Sequence, residues 1–128
     1  MKLILVTFLL FFSSLSAANN IDLEANMKNM GLAYKNSVRA TDLVSFNNAI
    51  DEFIELLETA KTADFKQHET ASLEGLDKVI NQAKQAKQLA TTRGLEAAKA
   101  PLKSIDELRK KYHELHEPPG FWELLFGK

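Results

Sequence analysis

The sequence predicts an all-α protein, an up-down-up-down antiparallel four-helix bundle. Three observations lead there. Apolar residues recur every three or four positions in four separate stretches, the spacing of a helix with one buried face. The stretches are joined by short polar links, which force antiparallel neighbours. Five glycines and three prolines in 128 residues are too few for the many turns of an all-β chain.

The chain opens with Lys2, an apolar run from Leu3 to Phe12, and then Ser13-Ser14-Leu15-Ser16-Ala17-Ala18. A basic start, a short apolar stretch and small residues before a polar region describe a secretory signal peptide over residues 1–18. The run is about half the roughly 20 residues that a membrane span needs. Cleavage after Ala18 puts Ser16 and Ala18 where small side chains are wanted, with Ala17 the close alternative. With Lys2 removed, 15 basic residues face 17 acidic ones. Residues 19–117 are then the bundle, and 118–128 an apolar tail. A soluble periplasmic protein is expected.

The first helix runs from Asp22 to about Ala40 and carries Leu23, Met27, Met30, Tyr34 and Val38 on one stripe. Thr41-Asp42 breaks it and can cap the next, with Ser45 a second candidate cap. Phe46, Ile50, Phe53, Ile54 and Leu57 mark helix two. Lys61 to Ser72 is polar and aperiodic, so it reads as a loop holding Phe65 and His68. A third stripe, Leu76, Val79, Ile80, Ala83 and Ala86 or Ala90, ends at Gly94 as helices often do. The fourth comprises Leu95, Ala98, Leu102, Ile105, Leu108 and Tyr112. Pro101 either kinks that helix or starts it after a separate turn. Pro118-Pro119-Gly120 stops it.

Composition removes most chemistries. A formal net charge of −1 offers no basic footprint for nucleic acid. Zero cysteines excludes disulfides, thiolate metal sites and covalently attached haem. No phosphate loop, GxSxG elbow or HExxH is present. A di-iron bundle needs Glu three residues before a His, and those positions hold Phe65, Lys110 and His113. No enzyme is expected.

What remains is Met27 and His113. In an up-down-up-down bundle the start of the first helix lies level with the end of the fourth, so both residues sit at similar depth at one end. A thioether and an imidazole there can clamp a haem iron, the ligation of many electron-transfer cytochromes. The spacing leaves rivals. A Met on an apolar stripe also serves as core filler, Met30 shares Met27's stripe, and His116 lies nearer the apolar centre of the fourth helix than His113. His68 has no helical framing.

Asp22-Leu23-Glu24-Ala25-Asn26-Met27 resembles the opening of the periplasmic cytochrome b562 family, as do Gly75-Leu76-Asp77 and the ending Leu108-Arg109-Lys110-Lys111-Tyr112-His113. The likeness runs from about Asp22 to His116. It implies one non-covalent haem b per chain, with Met27 and His113 as axial ligands and His116 the fallback for the second. It also implies a monomeric carrier of single electrons between redox partner proteins, without stable membrane insertion. Arg109, one turn before His113, is a candidate to neutralise a haem propionate. The chain departs from the family in a longer link between helices two and three and in Phe121-Trp122-Glu123-Leu124-Leu125-Phe126 after the last helix. That tail can fold over the haem end or meet a partner or membrane surface. The competing expectation is a haem-free periplasmic helical-bundle interaction or stress-response protein.

Overall fold

The computed structural model describes residues 21–65 and 69–116, and for 112–116 the backbone alone. Four helices run in sequence: α1 (Leu23–Arg39), α2 (Leu43–Ala60), α3 (Glu69–Arg93) and α4 (Lys99–His116), with a single 3-10 turn at Leu95–Ala98 before the last. They form an antiparallel up-down-up-down bundle. The expected signal peptide over residues 1–18, His68 and the tail from residue 117 onward lie outside the described residues.

The helix starts follow from their caps. Asp22 Oδ1 accepts a hydrogen bond from the Ala25 amide at 3.1 Å and opens α1. Asp42 accepts from both the Ser45 amide and the Ser45 hydroxyl, each at 2.8 Å, and opens α2. Asp42 is thus the cap, and Ser45 its donor. The backbone bond from Ser45, then the hydroxyl bond, hold the Asp42 carboxyl below its ordinary pKa.

Two expectations need correction. The segment 69–72 is helical: α3 begins at Glu69, so the link between α2 and α3 is shorter than its polarity suggested. Ala71, Ser72 and Leu73 are half-buried and Gly75 is buried, so packing carries this first turn and a half where no apolar stripe announces it. Glu69 in the first turn also suits the helix dipole. The second correction is Val38, which is 53% exposed. Its place along α1 is level with the beginning of α4, where too little helix exists to cover it.

At the other end of α3, Gly94 has φ +94° and ψ 167°, backbone that glycine alone adopts readily. It turns the chain into the 3-10 segment, and α4 then starts at Lys99 with Pro101 in its first turn. There a missing N–H costs no helical bond. The core joins all four helices: Met27, Met30 and Ala33 of α1; Phe46, Ile50, Phe53 and Leu57 of α2; Val79, Ile80, Ala83, Ala86 and Ala90 of α3; Leu102 and Ile105 of α4. Alanines on α3 leave room for the two phenylalanines of α2. No described helix is long and apolar enough to cross a membrane.

Candidate functional site

The site is built on the seam between α1 and α4, and Tyr34 shows how those helices face each other. Its hydroxyl donates to the Leu102 carbonyl at 2.9 Å. Its ring leans on Phe53 of α2, with centroids 5.7 Å apart and planes at 52°. Burial pushes the Tyr34 hydroxyl up to about 12 from an ordinary 10.0; the negative charge of Asp106 adds to this and the positive charge of Arg109 opposes it. Leu102, Asp106 and Arg109 therefore mark the flank of α4 that looks toward α1.

Met27 belongs to the matching flank of α1. It lies seven residues before Tyr34, about two turns and 10 Å along the axis, and points within about 20° of the same direction. Its side chain is 3% exposed. Met30 is also buried; it lies about 40° from Tyr34's direction, against about 20° for Met27 and for Leu23. Asn26, Ala33 and Ser37 form the opposite flank, away from α4. Asn26 Oδ1 is buried and accepts no hydrogen bond.

Leu23, Leu76 and Leu108 pack partly buried against the cluster that holds Met27 and Met30. The bundle topology puts all five at the end where α1 starts and α4 finishes. A thioether there is a soft donor in apolar surroundings, suited to iron in a porphyrin and poorly suited to hard cations. Among the described residues no group of three or more His, Cys, Asp or Glu gathers as a metal site.

Arg109 lies on the α4 flank that faces α1, with a side chain 23% exposed. Its Nε and Nη2 donate to Asp106 Oδ1 at 3.0 and 2.9 Å. Lys110 Nζ stands 3.0 Å from Asp106 Oδ2. Burial works to raise the Asp106 pKa, but the hydrogen bonds from Lys110 and Arg109 outweigh it and hold the carboxyl below its ordinary value. Positions 113 and 116 occupy the last turns of α4, and their side chains lie outside the description, as does His68.

Sequence reading missed Tyr34 and Asp106 at this seam. Both left a signal. A tyrosine on a buried stripe needs a partner for its hydroxyl, and Asp106 stands three and four residues before two basic side chains.

The family model for cytochrome b562 matches residues 22–117, three quarters of the chain. Neither the curated proteins nor the solved structures gave a match. The match begins at the cap of α1 and ends just after α4, and it spans both flanks of the seam. The chain belongs to the cytochrome b562 family.

Proposed function

We propose that this protein binds one non-covalent haem b between α1 and α4, with Met27 and His113 as axial ligands, and carries single electrons in the periplasm after removal of its signal peptide. One observation carries the reading: Met27 is buried two helical turns from Tyr34 and close to its direction, and Tyr34 bonds across to α4. Family membership supplies the cofactor class.

Helical register supports His113 over His116. Position 113 is eleven residues beyond Leu102, about three turns, and falls within about 20° of its direction. It is therefore closer in direction to Leu102 and Asp106 than position 116 is. Position 116 turns toward the line of Ile105, the centre of the core. Side chains lean toward the N-terminus of their own helix. On antiparallel helices, residues near the start of one and the end of the other thus reach toward a common level.

Met27 and His113 would hold the haem, which would supply a reversible one-electron couple. The chain's own contribution is threefold. Met27 is held in place by its buried setting. Leu23, Met30, Leu76 and Leu108 exclude water. Arg109 brings a positive charge to the seam, positioned to offset a propionate, while Asp106 tempers that charge. The redox partners are other proteins.

The test is a visible spectrum of the full chain purified from haem-replete cells. Sharp α and β bands on reduction, with one haem per chain, are expected. A colourless protein that resists reconstitution with haem overturns the proposal and leaves the haem-free interaction protein in its place.

A further inference from the structure

We infer that Tyr34 is a positioning residue for this site: its hydroxyl bond to the Leu102 carbonyl sets the separation and register of α1 against α4, and hence the reach of Met27 toward its partner ligand. The inference rests on the ligand reading above.

The bundle has four sides, and three are closed by broad approach of neighbouring backbones: α1 with α2, α2 with α3, and α3 with α4. Among the described residues the backbones of α1 and α4 come together far less. Side chains must hold that fourth side. Apolar contact is non-directional and resists sliding weakly, whereas a hydrogen bond fixes both distance and direction. The Tyr34–Leu102 bond spans the seam at 2.9 Å. Phe53 supports the ring from α2, so the hydroxyl meets α4 from a fixed base. Because burial raises its pKa, the phenol remains a donor through the neutral and moderately alkaline range.

Position matters as much as strength. Tyr34 lies close to Met27's direction, two turns deeper, so its bond to α4 sits on the inner side of the proposed ligand level. A small change in helix spacing there is carried outward along two rigid helices to the ligand level. Removing the hydroxyl leaves the core volume nearly intact and takes away the constraint.

The experiment compares Tyr34→Phe with Ser37→Ala in the haem-loaded full chain. Ser37 is an internal control: its buried hydroxyl donates to Ala33 within α1, at 2.9 Å, and does not cross the seam. Tyr34→Phe is expected to speed haem release roughly 2- to 10-fold, the equivalent of one net hydrogen bond, and to raise the high-spin fraction of ferric haem. Ser37→Ala is expected to change neither. A Tyr34→Phe protein with wild-type spectrum and release rate, or equal changes in both variants, overturns the inference.

A second measurement does not depend on haem. The chain lacks cysteine, so Lys35→Cys and Lys103→Cys, both at exposed positions, place spin labels on α1 and α4. In the haem-free full chain Tyr34→Phe should broaden the distance distribution between them; an unchanged distribution overturns the clamp. A wild-type spectrum without Met/His character refutes the ligand reading, and the distance measurement still decides on Tyr34.

Discussion

Met27 and Met30 differ by three residues and are almost equally buried, at 3% and 0% exposed, yet they point about 60° apart around α1. Truncating either opens a core cavity, which costs on the order of 2–5 kcal/mol. Met27 is the nearer of the two to Tyr34's direction and to the start of α1, and it is the proposed ligand. Met27→Ala is therefore expected to yield a folded protein whose haem is partly high-spin and whose reduction potential is lower, because the thioether is lost. Met30→Ala should lose stability and retain the spectrum. The reverse pattern in paired spectra and potentiometry reassigns the α1 ligand to Met30. Tyr34 adds a pH signature. Its folded pKa lies above the unfolded one, so its contribution to stability is fully present below pH 10 and is lost as the pH rises toward about 12. Denaturant unfolding of wild type should weaken across that window more than unfolding of Tyr34→Phe, which has no phenol to ionise. Because the shift comes from burial first and the charge of Asp106 second, parallel losses in the two proteins count against a buried phenol at this position.

At the scale of elements, the boundaries that carry local chemistry were legible and those set by packing were not. Asp22, Asp42 and Gly94 mark helix ends through side-chain caps and a glycine-only backbone, and each is readable from residue type and position. The start of α3 is not, since Glu69 to Gly75 has no apolar stripe and is helical because neighbouring elements cover it. Val38 fails in the opposite sense: periodicity buries it, but burial needs a facing helix, and α4 begins too late. The site shows the same division. Met27 could be picked out from its stripe and from family likeness, whereas the flank it occupies became visible only through the bond from Tyr34 to Leu102. Gly94 offers a clean test at this scale. A Cβ there meets nothing within 4 Å, so Gly94→Ala adds no clash and isolates backbone strain, about 1–3 kcal/mol. Thermal unfolding should show a lower Tm, with the visible spectrum of the loaded protein retained because the turn sits at the bundle end opposite Met27. An unchanged Tm implies that the turn relaxes into another conformation at no cost.

Across the whole molecule, the proposed site and the fold depend on the same juxtaposition. The inner faces of α1 and α4 are far apart in sequence and come together only in the folded bundle, so a ligand held between them binds the native state and not the unfolded chain. Such binding stabilises by mass action, about 2.7 kcal/mol when free haem is 100 times its dissociation constant. For a bundle of this size that corresponds to a rise in Tm of roughly 10 °C or more, at about 4–8 °C for each kcal/mol. The gain should grow with free haem concentration. It should shrink in Met27→Ala, where one ligand is missing, and remain in Arg109→Gln apart from the part due to charge. Calorimetry of the full chain with and without haem measures all of this. Equal melting temperatures under saturating haem mean that haem does not prefer the native bundle to the unfolded chain, which rules out a site formed between the two helices. The α1–α4 seam would then be a structural contact, with the Tyr34–Leu102 bond serving stability alone.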